Sequence, residues 1–170
     1  MIQEKYTAHW DAIKKQLQEQ GYVLLLDAVT HVPTGTNKTE QKKNPRLHSY
    51  TIQETPEEIY ALYQLMQKEV GLVGELHVET KQYTGGDFEL LESPQATNCY
   101  EIVLFSCQEW SVEKRGEHFY TTEDGLCVQP QDKQILIIYK DAETKKYVKR
   151  IPIQTTQKLI THTATIQKKQ

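Results

Sequence analysis

Two stretches of the sequence decide the predicted fold: Tyr83-Thr-Gly-Gly-Asp-Phe88, and Glu101-Ile-Val-Leu-Phe-Ser106 with Trp110 shortly after it. The first contains a glycine turn, and the second is a run of β-branched and aromatic residues, which favour strands. Short runs of similar character surround them and are separated by Gly, Pro, Asp and Asn. We expect strands at residues 76–83, 100–105, 118–121, 126–128, 135–139, 147–153 and 158–166. This spacing is typical of a β-sandwich or barrel.

The N-terminal part of the chain has helical periodicity. Apolar residues recur at spacings of three and four over residues 6–20, which predicts an amphipathic helix with one buried face: Tyr6, Trp10, Ile13 and Leu17. We expect Trp10 and Ile13 to be largely buried. The continuous apolar run over residues 22–28 predicts a strand that is buried on both faces.

A second helix is predicted over residues 56–70. Thr55 can cap it, a proline fits its first position, and its apolar face includes Leu62 and Leu65, which we expect to be buried. Between the predicted strand and this helix, residues 30–48 are mostly polar and predict a long loop. Helices first and strands afterwards indicate an α+β fold with the helices packed on one sheet.

Composition limits the classes of function. The chain has 170 residues and a net charge of −3, which favours one domain over residues 1–170 and argues against a nucleic-acid-binding module. We divide it into a supporting part, 1–74, and a core, 75–166. No apolar stretch is long enough to span a membrane and no secretory signal is visible, so the expected location is the cytoplasm. The three cysteines predict buried free thiols.

A set of short segments in a fixed order resembles a known family. Besides the two opening stretches, it comprises Arg115-Gly-Glu-His-Phe-Tyr120, Val128-Gln-Pro130, Ile135-Leu-Ile-Ile-Tyr139 and Tyr147-Val-Lys-Arg-Ile151. In this order they resemble the catalytic half of the 2-oxoglutarate/Fe(II) dioxygenases, in the prolyl-4-hydroxylase-like branch. The resemblance implies a double-stranded β-helix, or jelly roll, with the N-terminal helices packed on one of its two sheets.

The resemblance also implies a site of two histidines and one aspartate for Fe(II), and a cation for the far carboxylate of 2-oxoglutarate. The ligand positions hold Glu92, Pro94 and Lys146 here, and the cation position falls at Lys158. Proline cannot ligate, and an ammonium repels Fe(II). These residues are therefore predicted to be vestigial positions, with no catalytic residue and no expected cofactor. In this register Glu92 and Lys146 face each other, and an inward-pointing Lys146 is expected to form an ion pair with Glu92 or another carboxylate.

Three functions follow from this reading of the sequence. The first is a non-catalytic dioxygenase-fold domain, a pseudoenzyme that binds another protein or a small molecule but neither nucleic acid nor a membrane. The second is an active hydroxylase that uses Fe(II) and 2-oxoglutarate, with ligands drawn from His77, Glu79, His118 and His162. The third is a cupin-like barrel that binds a small ligand. The partner and the oligomeric state stay open at this point.

Overall fold

The structure is a computed structural model that describes residues 2–33, 38–44, 47–52, 55–90 and 98–167. The described helices are α1 (Glu4–Thr7), α2 (Trp10–Gln20) and α3 (Glu57–Val70), with a short 3₁₀ helix at Val112–Lys114. The strands are β1 (Tyr22–Leu25), β2 (Lys38–Asn44), β3 (Leu47–Ile52), β4 (Glu75–Tyr83), β5 (Phe88–Glu89), β6 (Cys99–Ser106), β7 (His118–Tyr120), β8 (Leu126–Val128), β9 (Ile135–Lys140), β10 (Lys146–Val148) and β11 (Leu159–Gln167).

The strands form two antiparallel sheets. The first sheet has the order β1-β9-β6-β11-β4, and the second has the order β5-β10-β7-β8. Strand β3 joins them, because it pairs with β4 at one end and with β5 at the other. We call β3 the seam strand. The prediction of an α+β fold is therefore confirmed at the level of two antiparallel sheets and a few helices.

The helices pack on the outer face of the first sheet. Ile13 on α2 and Leu62 on α3 are 5% and 3% exposed, as predicted, and they join a cluster that includes Ile102 and Ile137 of the sheet. Trp10 is only partly buried. The prediction for Leu65 is wrong, because its side chain is 41% exposed. The buried positions of α3 recur at spacings of three and four, and position 65 lies between them: Ile59, Leu62, Tyr63, Met66 and Val70.

The predicted helix over residues 6–20 is divided. Helix α1 ends at Thr7, and α2 begins only after His9, whose backbone is not helical. The Tyr6 hydroxyl donates a hydrogen bond to the carbonyl oxygen of Leu26 at 2.7 Å. This bond ties α1 to the chain beyond β1.

Strand β1 is shorter and more exposed than predicted. It ends at Leu25, and the described residues pair it with β9 on one side only. Leu24 and Leu26 are 37% and 46% exposed. The prediction of burial on both faces is wrong, because Val23 and Leu25 face the helix-covered cluster whereas Leu24, on the opposite face, is exposed.

The predicted loop over residues 30–48 contains strands instead. Strands β2 and β3 pair as an antiparallel hairpin, although the sequence of β2 is almost entirely polar. Without alternating apolar residues, its sequence carries no periodic signal for a strand.

The inner faces of the two sheets meet in a second apolar cluster. Residues from both sheets contribute to it, among them Phe105 on β6, Leu136 on β9, Tyr120 on β7 and Val148 on β10. Two of the three free thiols, Cys99 and Cys107, are buried, while Cys127 is exposed on β8. Among the described helices, none is long and apolar enough to cross a membrane.

Two leucines of α3 test the packing of the helices on the first sheet. Leu62→Ala should lower the free energy of unfolding by about 2–5 kcal/mol, because it removes buried methyl groups and leaves a cavity. Leu65→Ala removes the same atoms from an exposed position and should change the free energy of unfolding by about 0.5 kcal/mol or less. Urea denaturation of both variants measures the difference. Equal losses would show that α3 is rotated about its axis.

Candidate functional site

One end of the space between the sheets is polar. Charged and hydroxyl side chains from both sheets converge there, and we call them the inner polar cluster: Lys81, Tyr83, Glu89, Glu101, Tyr120, Lys140 and Lys146. They occupy inward positions of their strands, as period-two alternation with their apolar neighbours requires. The same inner space is therefore apolar at one end and ionic at the other.

Glu101 on β6 accepts three hydrogen bonds within this cluster, two at one carboxylate oxygen and one at the other. Lys146 on β10 donates to its Oε1 at 3.0 Å, and the Tyr120 hydroxyl on β7 donates to the same oxygen at 2.7 Å. Lys140 at the end of β9 donates to Oε2 at 3.1 Å. The side chains of Glu101 and Lys146 are 6% and 9% exposed. The bonds from Lys146 and Tyr120 cross from one sheet to the other.

Glu89 on β5 makes a second set of contacts across the sheets. Lys81 on β4 donates to its Oε1 at 2.7 Å, and the Tyr83 hydroxyl donates to the same oxygen at 2.8 Å. Glu79 lies 3.6 Å from the Lys81 ammonium. Two buried carboxylates are thus each held by a lysine and a tyrosine.

The lysines keep both buried carboxylates ionised. Burial opposes the charge of Glu101, but Lys146 and then Lys140 outweigh it and hold the pKa of this carboxyl well below its usual range. Burial likewise opposes the charge of Glu89, and Lys81 followed by Lys146 lowers its pKa overall. Because burial of an unpaired charge is costly, these pairs depend on one another.

His118 is buried next to this cluster and has a different environment. Its ring contacts Phe105 edge-on, with centroids 4.9 Å apart, and neither ring nitrogen has a hydrogen-bond partner among the described residues. Burial lowers the pKa of His118 to about 3, and the charge of Lys146 adds to the effect. The imidazole is therefore neutral near pH 7, with one donor and one acceptor position unused.

The residues that the sequence predicted as vestigial ligands divide into two groups. Lys146 lies inside the inner polar cluster, whereas Glu92 and Pro94 lie outside the described residues. The expected partner of an inward-pointing Lys146 was Glu92 or another carboxylate, and the described structure pairs it with Glu101. Lys158 is exposed just before β11 and lines a surface cleft of about 680 Å³ together with Ser106 and Lys133.

The alternative metal ligands are not brought together. His77 is exposed and lies 3.8 Å from Glu75, while Glu79 lies beside Lys81. His162 is on the helix-covered face of β11, where its Nδ1 bonds the Thr80 hydroxyl at 2.9 Å. Of this set, only Glu79 and His118 belong to the inner space.

Solved structures show which fold this is. A prolyl-4-hydroxylase from Pseudomonas putida matches with a TM-score of 0.73 and 11% identity, over 95% of this chain and 100% of that one. A prolyl hydroxylase from Trichoplax adhaerens, in complex with a hypoxia inducible factor peptide fragment, matches with a TM-score of 0.72 and 10% identity, over 96% and 91%. The fold is that of the 2-oxoglutarate–Fe(II) oxygenases. At this identity the likeness establishes the oxygenase fold alone.

A third structure carries the family name itself. It is a 2OG-Fe(II) oxygenase family protein from Burkholderia pseudomallei, with a TM-score of 0.59 and 11% identity over 91% of this chain and 90% of that one. No sequence profile of a known family matches the chain, and no curated protein matches it significantly. The resemblance that the sequence predicted is confirmed at the level of the fold by the solved structures.

The comparison corrects one expectation from the sequence. We expected no cofactor, and this is contradicted by the neighbours, because an oxygenase fold of this kind implies Fe(II) and 2-oxoglutarate. The described residues alone do not fit an iron centre: no three His, Cys, Asp or Glu side chains among them could hold a metal ion. Residues 91–97, which include two of the implied ligand positions, lie outside the described part of the chain.

Sequence reasoning missed most of the inner polar cluster. Glu101 stands between Tyr100 and Ile102 at the start of an apolar strand, and Lys140 ends another such strand. A charge at an inward position of a buried strand requires a partner of opposite charge, so the sequence could have indicated that Glu101 and Lys140 are paired. The sequence could not identify their partners, because these depend on how the two sheets face each other.

Lys146, the first residue of β10, and its exposed neighbour Lys145 provide a test of the Glu101–Lys146 pair. Lys146→Met should lower the free energy of unfolding by about 3 kcal/mol, since it leaves Glu101 with fewer compensating charges in a buried place. Lys145→Met, an exposed neighbour, should change it by about 0.5 kcal/mol or less. The double variant Glu101→Gln, Lys146→Met should lose less than the sum of the single losses. Strict additivity in chemical denaturation would mean that the two side chains do not interact.

The buried histidines predict how stability depends on pH. Burial lowers the pKa of His118 to about 3 and that of His162 to about 4, whereas histidines of the unfolded chain titrate near 6.5. Below about pH 6.5 the unfolded chain binds protons that the folded chain does not. The free energy of unfolding should therefore fall with decreasing pH, by up to about 1.4 kcal/mol per pH unit for each histidine.

A pair of variants isolates the contribution of His118 to this slope. Between about pH 6.5 and pH 4, His118→Leu should make the free energy of unfolding less dependent on pH. His77→Leu, which removes a histidine whose side chain is 63% exposed, is the matched control. Urea denaturation at a series of pH values provides the slopes. The same slope in His118→Leu as in the unmodified protein would contradict the burial of a neutral His118.

Proposed function

We propose that this chain is a non-catalytic domain of the oxygenase fold, with a double-stranded β-helix core, that acts as a binding module. The observation that carries the proposal is the place of Lys146. It stands where the family resemblance expects the distal metal ligand, and its ammonium forms a buried ion pair with Glu101 at 3.0 Å. A protonated lysine has no lone pair to offer a metal ion.

The contacts around Lys146 support a structural use of the inner polar cluster. Glu101 is bound by Lys140 and Tyr120 as well as by Lys146, so a change at one residue disturbs the others. Exchange of Lys146 for a coordinating group would leave buried charges unbalanced. The cluster is thus suited to holding the two sheets together, as a scaffold for binding surfaces requires.

A barrel that binds a small ligand is the second candidate, and His118 is the observation that favours it. A fully buried side chain with both ring nitrogens unpaired is unusual in a folded protein, because buried polar groups normally find a partner. A small polar molecule in the inner space would supply such a partner. The oxygenase fold supports the active hydroxylase at the level of architecture only.

Turnover of 2-oxoglutarate tests the proposal. The purified protein, supplied with Fe(II), ascorbate and 2-oxoglutarate, should form no succinate above the blank, in multiple-turnover assays and with enzyme in excess over co-substrate. A prolyl-4-hydroxylase assayed in parallel is the positive control. Succinate formation that a metal chelator abolishes would overturn the non-catalytic assignment and establish the hydroxylase.

A further inference from the structure

The outer face of the first sheet is covered by helices α2 and α3, and neither helix packs on the outer face of the second sheet. All the described helices longer than one turn, α2 and α3, pack on the first sheet. On β10, Lys146 and Val148 point into the inner space, so Tyr147 points outward by alternation, and so do Lys145 and Lys149 on either side. Hydrogen bonds from Thr121 to Lys145 and from Lys149 to Glu117 continue the β7–β10 ladder at both ends.

An apolar row crosses this outer face. Phe119 on β7 is opposite Tyr147 on β10 and Cys127 on β8. Glu89 on β5 is opposite Val148 in an antiparallel pair, so the next residue, Leu90, lies opposite Tyr147. Leu90 is 50% exposed. The rings of Phe119 and Tyr147 stack with centroids 4.5 Å apart and an interplanar angle of 1°. The row therefore runs Leu90–Tyr147–Phe119–Cys127, and we call it the outer apolar row.

Positive charge flanks the outer apolar row. Lys145 and Lys149 lie on either side of Tyr147 along the strand, and Arg150 lies over the ring of Phe88 at 5.9 Å. Glu117, opposite Lys149, has a side chain that is 12% exposed and already lies 3.5 Å from the Lys149 ammonium. Three cations therefore lie on or beside this face, and the carboxylates near them are Glu117 and, next to Lys145, Glu143, whose carbonyl oxygen accepts a hydrogen bond from the Thr121 hydroxyl.

The spacing of these residues specifies a partner. Outward side chains two residues apart on a strand are separated by about 7 Å, so the order along β10 is cation, aromatic ring, cation at equal steps. An extended peptide has the same period on one of its faces. Carboxylates at its first and fifth positions would reach Lys145 and Lys149, while an apolar side chain at the third would cover Tyr147.

The aromatic geometry favours such a peptide over a nucleic acid. Binding of single strands depends on open ring faces on which bases stack. Here Phe119 and Tyr147 each turn one ring face toward the other, and Leu90 and Cys127 stand at the two ends of the row. The row thus offers two half-buried rings between the more exposed side chains of Leu90 and Cys127, with cations beside them.

We propose that the outer face of the second sheet binds an extended acidic segment of another protein, with the pattern acidic-x-apolar-x-acidic. This deepens the proposed function by giving the binding module a partner class. The face lies outside the inner space, so an active enzyme could carry it as well. The succinate assay therefore tests the non-catalytic assignment, and the peptide assay tests the binding face independently of it.

Fluorescence anisotropy with a labelled peptide, Gly-Ser-Glu-Thr-Leu-Thr-Glu-Ser-Gly, tests the proposal. The full chain should bind it saturably, and added salt should weaken binding. Peptides with Gln or Lys in place of both Glu residues should bind more weakly. Tyr147→Ser and Lys149→Gln should each weaken binding about threefold to tenfold. Lys145→Glu should weaken peptide binding by a similar factor, and it should not disturb the packing because Lys145 is exposed.

Matched controls come from α2 and α3. Tyr60→Ser removes a tyrosine that is 41% exposed, and Lys15→Gln removes an exposed lysine; both should leave peptide binding unchanged. Absence of saturable binding, equal affinity for the Gln peptide, or full binding by Lys145→Glu and Lys149→Gln would overturn the proposal. Tighter binding of a thymidine oligonucleotide than of the peptide, lost in the same variants, would replace it with a nucleic-acid site.

Discussion

The ion pair between Glu101 and Lys146 fixes the relation of the two sheets. Strand β10 has only three residues, and two of them face inward: Val148 toward the apolar end of the inner space and Lys146 toward its ionic end. A short strand gains little from its own ladder of hydrogen bonds. The bonds that Lys146 and Tyr120 donate to Glu101 hold the second sheet against the first at a defined register.

The buried Glu101–Lys146 pair has a desolvation cost, and the neighbouring side chains offset it by hydrogen bonding. Removing charged groups from water opposes folding, and the attraction within a pair offsets that cost only when the remaining oxygens are also bonded. Both oxygens of Glu101 have donors, while Lys81 and Tyr83 both donate to one oxygen of Glu89. An oxygenase fold thus accommodates a buried ionic cluster between its two sheets. A fold does not by itself determine the chemistry that a protein performs.

The sequence predicted the elements whose burial follows their periodicity. Strand β8 and helix α3 were placed within one residue, because one has a compact apolar run between turns and the other has a regular apolar face. The hairpin of β2 and β3 was missed because its stability comes from neighbours rather than from its own pattern. The role of Lys146 could be suspected from the family resemblance, but its partner Glu101 is 45 residues away in the chain. Such a pairing is visible only once the sheets face each other.

The seam strand β3 has a consequence for the behaviour of the protein in concentrated solution. It covers the outer edge of β4 and an edge of β5 at the same time. If β3 detached, two strand edges would lose their partners together, one in each sheet. Exposed edges recruit strands from other molecules, which is how many folded proteins begin to aggregate. The hairpin that contains β3 thus serves as a guard against self-association, and the polar sequence of its other strand, β2, suits that task.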